Sequence, residues 1–314
     1  MPRPAAPDEE LKVLLREYIK TPNSLINQER LKHCVESVMP DTVFTLLAGV
    51  EDSEGARTIG IHHAAARGHM DTMKCMLDSL TAQQRVGLLR LRNIEGNAAV
   101  HFPAIKGLLD SVKLILGYVT DDERVALLKI QNISGSTALH CAAYKGSTEV
   151  VKCILESITA EQRYKLLNIQ DTERGTVLHQ AAMQGNTEVV KHVLGCLSPE
   201  QKCSFLKVQT IYGGTAIYRA AARGHAEAVQ CMLESISIHE RFDVLKIPNL
   251  NGSTAVHCAA LRGRTETIKC MMDAIPANMR FNLLKMQDKD KSTAIHYAAM
   301  GASLDTIDGD AIDD

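Results

Sequence analysis

Seven ring side chains, His62, His101, His140, His179, Tyr218, His257 and His296, stand 39 residues apart in a chain of 314. Imidazoles suit proton transfer near neutral pH and metal ligation. Ligation needs several rings within about 2.0–2.1 Å of one ion, and one ring per copy of a repeat spreads them apart instead. Tyr218 has no imidazole to offer at all. A second periodic set carries thiols. Cys75, Cys153, Cys231 and Cys270 share one position of the same period, with Leu114 and His192 in its other copies. Exchange of Cys with Leu reads as a core slot that uses Cys as a small apolar residue. The nine cysteines include no CxxC pair, so the expectation is no metal, no disulfide framework and a reducing, cytoplasmic setting. GxSxG, HExxH, GxxxxGK[ST] and GxGxxG are all missing, so no catalytic residue and no cofactor is assigned. Gly213-Gly214 belongs to a turn that lacks the strand and Lys-Ser/Thr of a phosphate loop.

The rings are positioned by a repeat, since a fixed period of about 20–50 residues means stacked copies of one supersecondary element. Residues 134–172 show its parts. Ser134 to Ser136 read as a turn, and Thr137 opens a first helix with Leu139, Ala142 and Ala143 on one face. Gly146 stops that helix, because Gly accepts positive φ. Val150, Val151, Ile154 and Leu155 form the buried stripe of a second helix. Thr159 and Gln162 then fit a capping box, as do Thr81 and Gln84, Thr120 and Glu123, Ser198 and Gln201, and Ser237 and Glu240. Each opens a third short helix that ends in an apolar pair such as Leu166-Leu167 or Phe205-Leu206.

The stretch TALHCAAYKGSTEVVKCIL (137–155) resembles the ankyrin repeat. So do TVLHQAAMQGNTEVVKHVL (176–194), TAIYRAAARGHAEAVQCML (215–233), TAVHCAALRGRTETIKCMM (254–272) and two weaker copies at 59–77 and 98–116. Ankyrin repeats usually run about 33 residues. Here roughly six more follow the second helix, and Ala or Val replaces the usual Pro after Thr. The resemblance implies an all-α, ankyrin-type helical solenoid in which Thr and His pair at the start of each first helix. The usual hairpin is expected to be shortened or replaced by the third helix.

The expected organisation is a disordered start at 1–7, a divergent capping repeat at 8–55, six full repeats at 56–289, and a partial repeat with an acidic tail at 290–314. The charged residues of a helix expected at Asp8–Lys20 (Glu9, Glu10, Lys12, Arg16, Glu17) would shield the end of the stack. The net charge of −2 argues against non-specific nucleic-acid binding, and no stretch of 18 apolar residues suggests a membrane span. The chain is expected to be a monomer.

By the same resemblance, the two residues before the Gly that ends each first helix face a concave surface. These pairs are Ala66-Arg67, Ile105-Lys106, Tyr144-Lys145, Met183-Gln184, Ala222-Arg223 and Leu261-Arg262. Five of the six carry a cation in second place, which suits a partner protein with an acidic, partly apolar surface. The candidate binding residues are Arg67, Ile105, Lys106, Tyr144, Lys145, Met183, Gln184, Arg223, Leu261 and Arg262, with the turn tips Glu173-Arg174 and Tyr212 extending the footprint. The expected function is a non-catalytic protein-binding scaffold. The alternatives are a recognition module of a larger enzyme or channel, or an ankyrin-repeat effector of an intracellular bacterium.

Overall fold

The computed structural model describes residues 7–20, 29–31, 33–35 and 60–304. Most of the expected capping repeat and all five aspartates of the acidic tail lie outside the described residues, as do residues 1–6. The chain divides into two compact units, Met1–Gln162 and Arg163–Asp314. Among the described residues every regular element is a helix.

Each 39-residue repeat contributes three helices, here called inner, outer and third. In the first unit the inner helices are Gly60–Arg67, His101–Lys106 and Ala138–Lys145, and the outer ones are Met70–Asp78, Leu109–Gly117 and Thr148–Glu156. In the second unit they are Val177–Met183, Ala216–Arg223 and Ala255–Leu261, with Thr187–Gly195, Ala226–Glu234 and Thr265–Asp273 outside them. A further inner helix, Ala294–Leu304, follows. Within each unit inner helices pack on inner helices and outer on outer. Alternating small and branched side chains allow this close approach. Ala142 and Ala143 of one inner helix, and Val150, Val151, Ile154 and Leu155 of its outer helix, are all buried.

The inner helix begins with a fixed pairing. The backbone N–H of Thr137, Thr176 or Thr254 donates to Nδ1 of the His three residues on, at 3.1–3.3 Å. The Thr hydroxyl lies 2.8–3.0 Å from the same nitrogen. Because a backbone N–H can only donate, Nδ1 is unprotonated and Nε2 carries the proton. At His62, His101 and His257 the Nε2–H reaches a carbonyl beyond the third helix: Leu91 O at 3.1 Å, Ser136 O at 3.3 Å and Met286 O at 3.0 Å respectively. Ala98 has no hydroxyl, yet its N–H still donates to His101. In the odd copy, Thr215 Oγ1 accepts from the Tyr218 N–H, and Tyr218 Oη accepts from Asn249 Nδ2 at 3.0 Å.

The third helices Ala82–Arg90, Asp121–Leu128, Ala160–Leu167, Pro199–Leu206, Ile238–Leu245 and Ala277–Leu284 occupy the inserted residues. Reciprocal capping bonds open the helices at Thr81, Thr120, Ser198 and Ser237. Their closing apolar pairs from Leu88-Leu89 to Val244-Leu245 are buried. A periodic cation also fastens them. Arg85 Nε donates to Leu77 O at 2.6 Å, and Arg124 Nε to Leu116 O at 3.2 Å. Arg124 Nη1 also reaches forward to Ser157 O at 3.0 Å, as Arg241 Nη1 does to Ala274 O at 3.1 Å. Each of these carbonyls lies at the C-terminal end of an outer helix, where carbonyls lack helical partners.

The turn between repeats is kept beside the third helix, the shortened form of the two that were expected. Asn93, Asn132, Asp171, Asn249 and Asp288 recur at the repeat period. Each side-chain oxygen accepts two backbone N–H groups of its own turn, as Asn132 Oδ1 does from Ser134 and Ser136 at 3.0 and 2.9 Å. Successive turns are joined by single backbone bonds. Ile133 N donates to Glu95 O in the first unit; Ile211 N to Glu173 O, Leu250 N to Tyr212 O and Lys289 N to Asn251 O do so in the second. The turns need a left-handed residue, supplied by Gly96, Gly135, Gly213 and Gly252 but by Arg174 and Lys291 in two copies.

The shared cysteine slot is not core. Cys75, Cys153, Cys231 and Cys270 are only partly buried, because the slot lies on the flank of the outer helix. Cys270 Sγ sits 3.6 Å from Ala226 O of the preceding outer helix. Partial burial raises the thiol pKa at Cys153, Cys231 and Cys270.

Two outcomes follow from this packing. Leu167 is fully buried, so Leu167→Ala is expected to lower the unfolding free energy by about 2–5 kcal/mol, read by urea denaturation. An unchanged midpoint would remove the third helix from the core. The second concerns pH. Burial lowers the pKa of His62 and His179 to about 4, and that of His101 and His257 below its usual value. The unfolded rings take up protons from about pH 6.5 downward, while the folded His62 and His179 rings resist until about pH 4. Their contribution is therefore complete above about pH 6.5 and is lost as pH falls toward 4, by about 1.4 kcal/mol per ring and pH unit. Urea midpoints should decline steadily across that window; a flat profile would mean the rings are not buried neutral.

Candidate functional site

The end of each inner helix sets the candidate residues. Gly107, Gly146 and Gly224 take left-handed φ of 75–81° and close their helices. The two preceding side chains stay clear of the packed seams. In the first compact unit Arg67, Lys106 and Lys145 are exposed, beside Ile105 at 39% and Tyr144 at 53% exposure. These are large apolar side chains held in water next to cations, the pairing that sequence spacing suggested. Arg67 Nη1 lies 2.9 Å from His63 Nδ1, one helical turn back.

In the second unit Gln184, Arg223 and Arg262 are exposed, while Met183 and Leu261 are half-buried. Met183 is engaged from below, its sulfur 3.6 Å from Arg219 Nη1. Arg219 was not singled out by sequence. Its Nη2 donates to Glu173 Oε2 at 2.6 Å, an ion pair with the guanidinium side chain only 17% exposed. This joins the Glu173 turn tip to the inner-helix surface, so two parts of the expected footprint are physically connected. The signal was available: Arg219 directly follows the periodic ring position, where His63, Phe102, Cys141, Gln180, Cys258 and Tyr297 stand in the other copies. Gln180 Nε2 donates to Asp171 Oδ2 at 2.8 Å, and Tyr297 Oη to Asp288 Oδ2 at 2.7 Å. That position links the inner helix to the turn before it. Tyr212 at the next tip is 59% exposed, flanked by Ile211 at 42% and, one turn on, Leu250 at 59%.

The periodic histidines do not meet. His101, His140, His179, His257 and His296 are each held by their own helix start, and among the described residues no three His, Cys, Asp or Glu side chains are placed to hold a metal ion. Among the same residues no helix is long and apolar enough to cross a membrane.

Comparison with known proteins agrees with this architecture. The family model for ankyrin repeats matches three times, over residues 121–203, 178–274 and 217–308. No curated protein matches in sequence. Among solved structures, the ankyrin repeat domain of Bcl-3, described as a unique member of the IkappaB protein family, aligns with TM-score 0.57 and 18% identity. The alignment covers 76% of this chain and 92% of that one, a likeness of fold alone. The matched residues run from 121 to 308, more than half of the chain, and the chain belongs to the ankyrin-repeat family.

Proposed function

We propose that this chain is a non-catalytic scaffold that binds another protein through the inner-helix ends. Ankyrin repeats as a class are protein–protein interaction modules, and their fold is typically non-catalytic. The observation that carries the reading is the exposure of Arg67, Lys106, Lys145, Arg223 and Arg262 at one position of the repeat. Exposed apolar neighbours, Ile105 and Tyr144, accompany them in the first unit. In that unit Arg67, Ile105, Lys106, Tyr144 and Lys145 form one candidate surface. In the second, Met183, Gln184, Arg223, Leu261 and Arg262 form another, extended by Glu173, Arg174 and Tyr212.

Such a surface suits an acidic, partly apolar protein. Apolar anchors supply burial, and the cations steer and align the partner. Side chains on packed helices are ordered before binding, which lowers the entropy cost of association. We propose further that residues 8–55 cap the stack, that 56–289 are the six full repeats and that 290–314 form a partial repeat. In support of the cap, Leu11, Leu14, Leu15 and Tyr18 of helix Pro7–Lys20 are buried while Glu10, Arg16 and Glu17 are exposed. Tyr18 Oη also lies 2.5 Å from His69 Nδ1. A cytoplasmic setting is proposed from nine cysteines that all stand as thiols.

The test is affinity capture from cell lysate read by mass spectrometry. The chain is compared with a variant in which Arg67, Lys106, Lys145, Arg223 and Arg262 are all changed to Glu. A partner is expected on the first bait and at least tenfold depleted on the second, with equal helicity in both. Equal capture would overturn the cationic surface as the binding site.

A further inference from the structure

A periodic guanidinium is missing from one repeat. Arg85, Arg124, Arg163, Arg241 and Arg280 hold one position of the third helix, and Lys202 stands there in helix Pro199–Leu206. Two of these arginines tie one repeat to the next. Arg124 Nη1 donates to Ser157 O in the first unit, and Arg241 Nη1 to Ala274 O in the second. Each of these carbonyls lies at the C-terminal end of the following outer helix. The corresponding carbonyl for Lys202 belongs to Ser235. Among the described residues the Lys202 ammonium makes no hydrogen bond or ion pair.

The second compact unit has a cavity of about 640 Å³ at this place, within the roughly 300–1,000 Å³ of small-ligand sites. It lies between the outer helices Thr187–Gly195 and Ala226–Glu234, with Lys202 in its wall. Two features of this repeat leave the space open. Lysine lacks the planar fork with which arginine reaches several acceptors. Gly195 stands where the next two repeats have Glu234 and Asp273, and a Cβ on it would meet nothing within 4 Å.

The lining selects a cation with several donors. Leu194 and Gly195 end one outer helix, and Glu234 and Ser235 end the next. The cavity is therefore bordered by the negative ends of two helices. Glu227 and Glu234 add exposed carboxylates. Of the two amines in the wall, Lys191 is held by Glu188 at 2.7 Å, which leaves Lys202 facing two carboxylates. Neighbouring repeats show what suits the end of an outer helix in this setting, a guanidinium donating to the terminal carbonyl.

We propose that this cavity receives the guanidinium of an arginine side chain on a peptide segment of a partner protein. The incoming group donates to Ser235 O and pairs with Glu234, supplying from outside the contact that Arg124 and Arg241 make within the chain. The Lys202 ammonium, a compact charge on a flexible stem, turns aside into water. Charge-assisted, forked bonds to a carboxylate distinguish arginine from lysine. The site draws on none of the inner-helix cations, so the two surfaces stand or fall separately.

The test is isothermal titration calorimetry of the full chain with the blocked peptide acetyl-Gly-Arg-Gly-amide, for which a Kd of about 1 mM is expected. The same peptide with citrulline, which is nearly isosteric but neutral, and the peptide with lysine should each bind at least tenfold more weakly. So should the arginine peptide to Lys202→Arg, where the chain's own guanidinium takes the place, and to Glu234→Gln. Alkylation of Cys231, which also lines the cavity, should slow when the arginine peptide is present, while that of Cys153 is unchanged. This readout, by peptide mass spectrometry on the unaltered chain, decides even if a variant fails to fold. No heat of binding at about ten times the expected Kd would overturn the site. So would equal binding of the citrulline peptide, undiminished binding to Lys202→Arg, or alkylation of Cys231 indifferent to the peptide. Free arginine binding more tightly than the blocked peptide would overturn a peptide as the ligand.

Discussion

Everything else in this structure depends on a neutral imidazole bonded on both sides. At His101 and His257 one ring nitrogen accepts from the backbone at the start of the inner helix, and the other donates to the backbone beyond the third helix. Neither bond alone fixes the fold; together they set where the helix begins and where the returning chain must pass. An unpaired buried ring would cost more than an ordinary lost contact, so the geometry tolerates little drift. His62 and His101 keep the outward bond where the inward one differs. The Tyr218 copy shows the limit. A longer ring reaches Asn249 through its hydroxyl instead, and the repeat retains its course.

The inserted third helix is the departure from an ordinary ankyrin repeat, and its attachment is both apolar and polar. Closing pairs such as Leu127-Leu128 bury area, while Arg124 and Arg241 satisfy carbonyls that an outer helix leaves open at its end. A guanidinium can do this for its own repeat and the next because its donors point in several directions. The extra residues therefore add a second inter-repeat connection to the one made by the turns.

Much of this was legible in the sequence because a period repeats its evidence. The three helices, their capping boxes and the Thr–His pairing each appeared several times over, so chance agreement was small. What escaped were features whose meaning lies in direction. Arg85, Arg124 and Arg241 were visible at 39-residue spacing, but spacing does not say that a side chain reaches back to its own outer helix and forward to the next. The oxygens of Asn132 and Asp288 gather two N–H groups each, which their spacing alone does not reveal. The cysteine slot was misplaced because exchange with Leu114 signals an apolar neighbourhood without saying how deep it is. At the candidate surface, the cations and their exposure followed from the pattern, whereas the Arg219–Glu173 pair beneath Met183 required the fold.

The single backbone bonds between successive turns have a mechanical consequence. Each pair of successive turns in the second unit shares one backbone N–H···O contact, from Leu250 to Tyr212 and from Lys289 to Asn251. A pull on the second unit would meet, at each step, one such bond together with the packed helices of one repeat. Repeats would then peel in sequence, each freeing 39 residues, about 130 Å of extended chain at roughly 3.3–3.6 Å per residue. Under tension, such a chain would lengthen in even steps.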